Sequence, residues 1–553
     1  MDIAVVLVYL VAMIGFGIWG LRRARSQEDY LVAGRRLGPI MYTGTLAAVV
    51  LGGASTVGGV GLGYEFGLSG MWLVFCIGLG IIALSHFFAP KIQRLEIYTV
   101  SQMLELRYGR GSRQVSGIIM SAYGLMIATT STVAYGSIFH ALLGIDRIPA
   151  ILLGGSVVVI YSMLGGMWSI TLTDFVQFVV QTIGIFLVLL PLVIVQAGGF
   201  SEIGATLGPD AFDPVGIGGS TILTYFLIYT LGLLIGQDIW QRVFTARSPG
   251  IARWAGLTTG VYCLLYAVAG ALIGTAAQVL VPGIEVSDDV FTAVVDHSMV
   301  PLLAGFVLAA ALAAVMSTAS GALIAGSTVF RQDIIEQWRG RRTGVAQDLG
   351  GVDESDDRVG ASRIWLVIFG IASMGLAVIM PSVVEALTVA YNILVAGLLI
   401  PILGGLVFRR GTIVGVMAGM IAGTVTTVVM MIAAGIFADS PIYLGLAASI
   451  IAYLVGSFAS RPTPEPVLSA WDERLRRRRR VSPAITAATS MRTAAIEDVT
   501  TTPESKALRA DSSRSSPSGA GSVEATSTAP PSVSPAAAAS AAGTPPGIST
   551  CER

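Results

Sequence analysis

An all-α polytopic membrane protein is predicted from three observations on this 553-residue chain. Between residues 2 and 460 lie about thirteen apolar stretches, each long enough to cross ~30 Å of hydrocarbon as a helix that satisfies its own backbone. Every Lys or Arg in this region except Arg147 falls in alternate connecting segments, the pattern of cytoplasmic loops. Hydrophobic residues make up 54% of the chain and charged residues only 12%, far from the balance of a water-soluble domain.

The first span, near 3–21, has no basic residues before it and is followed by Arg22, Arg23 and Arg25. That is the reverse of a cleavable leader, so it is expected to remain as a helix with its N-terminus outside. Further spans are expected near 38–62, 70–89, 115–141, 149–167, 172–196, 218–241, 254–281, 299–329, 364–381, 384–407, 412–436 and 442–460. Loops after odd-numbered spans hold most of the bases, among them Arg35, Lys91, Arg113, Arg242, Arg331, Arg363 and Arg409, and are predicted cytoplasmic. Two of the opposite loops carry Glu202, Asp210 and Asp213, then Glu285, Asp288, Asp289 and Asp296, without a base.

An odd number of spans leaves the C-terminus inside, and the five consecutive arginines at 476–480 agree. The chain thus divides into a transmembrane domain at 1–460, a basic juxtamembrane segment at 461–483 and a Ser-, Pro- and Ala-rich tail at 484–553. The tail lacks the apolar residues needed to offset ordering and is expected to be disordered and dispensable for the core activity. Trp471 and the arginines after it are expected on the inner leaflet, where anionic lipid attracts arginine by roughly 1 kcal/mol per charge, or to act simply as a topology anchor. The expected location is the inner or plasma membrane, multi-pass.

Several classes lose support. Cys76, Cys263 and Cys551 are scattered, so neither a disulfide framework nor a metal knuckle can be built. His86, His140 and His297 are dispersed with no nucleophile beside them, which argues against an enzyme and against a bound cofactor; His86 reads as a hydrogen-bonded core residue. There are no repeated pore loops or charge rings for a channel and no phosphate-binding loop for a nucleotide-driven pump. Neither nucleic-acid binding nor an obligate protein partner is indicated. An ion gradient is the remaining energy source.

Two spans carry the chemistry. The second contains Gly44, Gly52, Gly53, Gly58, Gly59, Gly61 and Gly63 with Ser55 and Thr56 among them. Such a helix is either closely packed through its small residues or unwound, and unwound backbone at membrane depth is tolerated only where it lines a cavity or binds something. The ninth reads AAVMSTASGALIAGSTVF over 313–330, placing Ser317, Thr318 and Ser320 within about one turn. A lone membrane hydroxyl usually bonds back to the i−4 carbonyl; a cluster facing unwound carbonyls suits sodium.

Three stretches resemble the sodium:solute symporter family over roughly residues 1–460: EDYLVAGRRLGPIMYTGTLAAVVLGGASTVGGVGLGYEFGL at 28–68, GGMWSITLTDFVQ at 165–177 with GQDIWQRVFTARS at 236–248, and the Ser317-Thr318 helix. The resemblance implies a leucine-transporter-like core of two inverted five-helix repeats, at about 38–196 and 218–407, and symport of a small organic solute with sodium by alternating access. It implies a sodium site of the Ala48, Leu51 and Ala314 carbonyls with the Ser317 and Thr318 hydroxyls. Asp174 resembles the family's station for sodium release, or in some members a second sodium site; a helix cap is its plain alternative. Relatives with a second sodium carry a serine where this chain has Gly321, which favours one sodium per cycle.

Substrate is expected against Gly52, Gly53, Ser55 and Thr56, with Gln237 on the facing seventh span. Sugar carriers present amides and acids where this chain has Ser55, Val74 and Gly236, and the proline carriers place an acid where it has Val50, so sugar and proline are both disfavoured. An organic anion at a half-helix N-terminus, or a cation held by Trp72, Tyr229 or Trp240, remains. Proton coupling is the alternative to sodium, and a transporter-like sensor or a channel stands further off.

Overall fold

The computed structural model describes residues 3–22, 26–343 and 356–476. These are helical almost throughout and pack as one unit; the only β feature among them is a single bridge between Leu37 and Ala246. Ten helices are long and apolar enough to cross a membrane, eleven with the bent pair Gly219–Leu233 and Gln237–Thr245 taken as one span. The expected tail at 484–553, the last part of the basic segment at 477–483 and Cys551 lie outside the described residues.

The two longest apolar stretches, 40 residues over Ala54–Gln93 and 50 over Arg147–Gln196, each contain a left-handed glycine where the sequence puts a boundary between spans. Gly67 has φ +59° and Gly166 φ +55°. A Cβ at Gly166 would stand 2.5 Å from the Tyr30 ring and 2.7 Å from its carbonyl oxygen, so the conformation and the space both demand glycine there. The chain breaks at these points.

The parity of the loops is visible in their contacts. Arg35 donates to the Ile97 carbonyl, Gln93 to that of Ala246, Arg363 to that of Leu164, and Arg107 to those of Phe408 and Arg409. Arg113 bridges Glu105 and Asp333 at 2.9 and 2.6 Å. The basic loops after odd spans therefore gather at one end of the bundle. The exception, Arg147, lies at the other, where it donates to the Met380 carbonyl at 2.6 Å, and Tyr64 and Trp72 join the loops beside it through Val281 and Pro214.

At the core, the helix Pro301–Val329 packs against Pro39–Val50, Arg110–Leu143 and Arg147–Thr182, while Pro249–Leu280 packs against Gly59–Phe66 and Trp72–Ala83. These contacts run through small residues: Cβ atoms on Gly63 or Gly274 would fall within 2.5 Å of backbone on the facing helix. Close backbone approach of this kind is how membrane helices associate without a hydrophobic drive. Ile413–Ala434 and Ser440–Ala459 pair on the periphery, with Ile421, Val429 and Ile451 turned outward.

Two placements differ from expectation. Trp471, on the helix Glu465–Arg476, is 3% exposed and donates its indole N–H to the Gly405 carbonyl at 3.1 Å, so it docks on the bundle instead of lying on the leaflet. His86 is exposed, with Arg253 at 3.4 Å, because it lies with Phe87 on the outward face of a helix whose other face, Leu84, Ser85 and Ala89, is buried.

The loop at 281–300 supplies a pH prediction. Asp288 is 4% exposed and accepts the Val383 amide at 2.9 Å, docking its loop on the start of Val383–Val407. Burial raises its carboxyl from 3.8 to about 6, aided by Asp289 and Glu65 and opposed by the Val383 amide and Arg147. The docked state thus prefers the protonated acid. Its contribution is full below about pH 4, declines as pH rises and is gone above about pH 6. Acidifying the detergent-solubilised protein from about pH 7 to about pH 5 should slow exchange of amides at 281–300, after correction for intrinsic rates, and Asp288→Asn should remove the effect. An equal response in both proteins would contradict this.

Candidate functional site

The helix Pro39–Val50 ends where Leu51 turns out of helical geometry at φ −95°, ψ 66°, and a five-residue π turn, Ala54–Gly58, restarts the chain. Broken backbone leaves carbonyls without their i+4 amides, and hydrocarbon offers no replacement. The ninth span provides it. Ser317 Oγ lies 2.6 Å from the Ala48 carbonyl oxygen and 2.8 Å from that of Ala314, and Thr318 Oγ1 donates to the Val49 carbonyl at 2.8 Å. Ser317 has one proton and two carbonyl acceptors, so oxygen lone pairs outnumber donors here. An acceptor-rich, buried cluster of oxygens is suited to a desolvated monovalent cation.

Of the expected ligands, Ala48, Ala314, Ser317 and Thr318 are thus brought together, and Leu51 stands at the break with its amide still bonded to Ala47. Val49 joins them without having been anticipated. Gly52 is held against Thr318: a Cβ there would lie 2.2 Å from Oγ1 and 2.6 Å from Cβ of that residue. Gly52→Ala is therefore expected to cut sodium-dependent uptake by at least tenfold in protein that still reaches the membrane, measured as initial rate per transporter; undiminished uptake would show that this approach is dispensable.

A second interruption lies five spans on, at Leu234 to Gly236, where the helix bends by 42°. It was not foreseen, although Gly232 and Gly236 bracket it. Between the two breaks is a cavity of about 30 Å³ whose wall includes Gly53, Ser55, Ser131, Asp238, Thr318 and Tyr391. Gly52 also lines it, so three of the expected substrate residues are present. Thr56 bonds Tyr266 at 2.7 Å away from the wall. Gln237 accepts from the Val100 amide at 2.8 Å and donates to the Tyr98 carbonyl at 2.9 Å, which spends both ends of its amide on a loop. Trp240 is likewise committed, to the Leu234 carbonyl, and Tyr229 to Thr388. Asp238, Ser131 and Tyr391 were not recognised as wall residues from sequence.

Asp174 is fully buried. Its Oδ2 accepts from Thr45 at 2.6 Å and from the Arg242 guanidinium at 2.9 Å, and both partners of that ion pair are 0% exposed. These are side-chain donors, so the carboxylate is not serving as a helix cap. A Cβ on Gly321 would meet a guanidinium nitrogen of Arg242 at 3.0 Å and a methyl of Val49 at 2.4 Å.

A membrane bundle in which two helices broken five spans apart face one intact helix bearing hydroxyls is the construction of a gradient-driven transporter core. The comparisons agree. The family model described as sodium:solute symporter family matches residues 30–423. The osmoregulated proline transporter OpuE of Bacillus subtilis (strain 168) is 25% identical over 488 residues, 84% of this chain and 95% of that protein. The high-affinity proline transporter PutP of the same organism is 26% identical over 439 residues, 75% and 89% of the two chains. A substrate-bound, outward-open Na+-coupled sialic acid symporter superposes with a TM-score of 0.70 at 19% identity, covering 83% of this chain and 98% of that one.

The chain belongs to the sodium:solute symporter family. It is a multi-pass transporter of the cell membrane with the leucine-transporter-like fold, coupling a solute to sodium, and it is not an enzyme.

Proposed function

We propose that the protein imports a small organic solute with one sodium ion per cycle, by alternating access around the breaks in the second and seventh spans, with the basic loops in the cytoplasm. The reading rests on one observation above others: the Ser317 and Thr318 hydroxyls meet the Ala48 and Val49 carbonyls where the second span opens. The ion would sit among the carbonyls of Ala48, Leu51 and Ala314 and these two hydroxyls, each oxygen replacing part of its hydration.

The one-sodium stoichiometry is supported by Arg242, whose guanidinium fills the space a side chain at Gly321 would enter. A fixed cation held by Asp174 leaves little reason for a second mobile one. The cavity of about 30 Å³ has room for two or three water centres. An organic solute needs the helices to part, in keeping with alternating access.

The proline transporters among the relatives put proline first among candidate solutes, despite Val50 where an acid stands in the proline carriers. The test is uptake into proteoliposomes under an imposed sodium gradient, screened over proline, other amino acids, choline, monocarboxylates, pantothenate and nucleobases. Sodium-driven accumulation of one solute is expected. Accumulation driven by a proton gradient alone would favour proton coupling, and steady ion current without any solute would favour a channel.

A further inference from the structure

The cavity wall carries a charge that sodium coupling does not use. Asp238 is the one charged side chain among the described residues lining the cavity, and it is 4% exposed. Tyr123 donates to its Oδ1 at 2.9 Å, which orients the carboxylate without neutralising it. Arg242, four residues on, also acts on Asp238 but is bound at 2.9 Å by Asp174. One guanidinium thus stands near two carboxylates but is bonded to Asp174, so Asp238, held by Tyr123 and the Ile239 amide, has no cationic side chain bonded to it among the described residues. A carboxylate withdrawn from water is costly until a cation joins it, and ionisable groups at membrane depth mark the path of what is carried.

An independent observation points to a ligand at the same place. Ser131 is fully buried, lines the cavity and has no hydrogen-bond partner for its hydroxyl. A buried hydroxyl without a partner is costly unless something polar arrives. Tyr391 completes the wall, its ring held edge-on by Tyr123 at 5.4 Å and Tyr229 at 5.5 Å, and an aromatic ring attracts a cation over its face.

We propose that Asp238, with Ser131 and Tyr391, forms the subsite for a positively charged nitrogen on the transported solute, so that the solute is an amine- or ammonium-bearing molecule and not a simple carboxylate or a sugar. The proposal rests on the symport reading above. Asp238 fixes the nitrogen electrostatically, Tyr391 covers it, and Ser131 gains its missing partner from a polar group of the same solute. Asp238 is then a specificity residue, distinct from the hydroxyls that take sodium.

The experiment uses the full chain in proteoliposomes and reads sodium-dependent transient currents. Matched probes differ only in the nitrogen: proline against cyclopentanecarboxylate, and choline against its neutral carbon isostere; acetate and glucose complete the panel. At least one nitrogen-bearing probe is expected to give current while its isostere gives none. Asp238→Asn should raise the half-saturating concentration of the active probe by at least about thirtyfold, the scale for loss of a charged hydrogen-bond partner, while sodium binding changes by less than about threefold. Ser131→Ala should raise it by about fivefold, and it gives an independent reading if the Asp238 variant does not fold. Equal currents from isostere and amine, current from acetate or glucose alone, or unchanged solute affinity in a folded Asp238→Asn protein would overturn the subsite and leave symport standing. Silence of every probe, combined with no sodium binding, would instead remove the symport reading beneath it.

Discussion

Replacing Ser317 and Thr318 together with alanine is expected to raise the sodium concentration for half-maximal uptake by two orders of magnitude or more. The two hydroxyls contribute two of about five oxygens around the ion, and a bond to a charged group is worth about 1.5–3 kcal/mol. Losing both therefore costs about 3–6 kcal/mol, well over a hundredfold in affinity. The same change strips the Ala48 and Val49 carbonyls of their hydroxyl partners, so some stability is lost too. Thr318→Ser separates these effects, because it keeps the oxygen and should keep the sodium response near that of the parent protein. Sodium dependence that survives the double replacement would remove this site from the mechanism.

Asp174→Ala and Arg242→Met, each alone, should sharply reduce the yield of folded protein, and their combination should do less harm than the sum. Both side chains are 0% exposed and bonded at 2.9 Å. Removing one partner leaves a bare charge deep in the bundle, typically a loss of about 3–5 kcal/mol, whereas replacing both with apolar groups is often close to neutral. A thermal-stability cycle on the detergent-solubilised protein should give a coupling of at least about 2 kcal/mol. The cycle also bears on transport. If Asp174 holds Arg242 as a fixed cation, Asp174→Asn disturbs folding and the departure of sodium, but sodium binding itself survives. Additive losses would mean that the pair does not act as a unit.

Much of this arrangement was legible because its signals are local. Glycine crowding announced the break after Val50, and Ser317 and Thr318 stood out among apolar neighbours. Alternating charge gave the parity of the loops, and the odd residue, Arg147, is explained by the Met380 carbonyl it caps. The break at Leu234 to Gly236 was harder to see, because only two glycines mark it and the polar helix Gln237–Thr245 that follows reads equally well as the end of the span. Wall residues depend on which face of a helix turns inward, and neighbouring positions can part company there. Gln237 and Asp238 are adjacent in sequence, yet one clasps the Tyr98 to Val100 backbone and the other borders the cavity. Asp174 could not be told from a helix cap in the sequence for a related reason. Its partner Arg242 lies 68 residues away and draws it inward.

The most direct test of the central claim is equilibrium binding of radioactive sodium to purified protein, parent and Ser317→Ala/Thr318→Ala, with no solute present. Saturable binding of about one ion per chain by the parent, and its loss in the folded double variant, is the predicted result. Equal binding by the two proteins would mean that the ion is held somewhere other than the opening between the second and ninth spans.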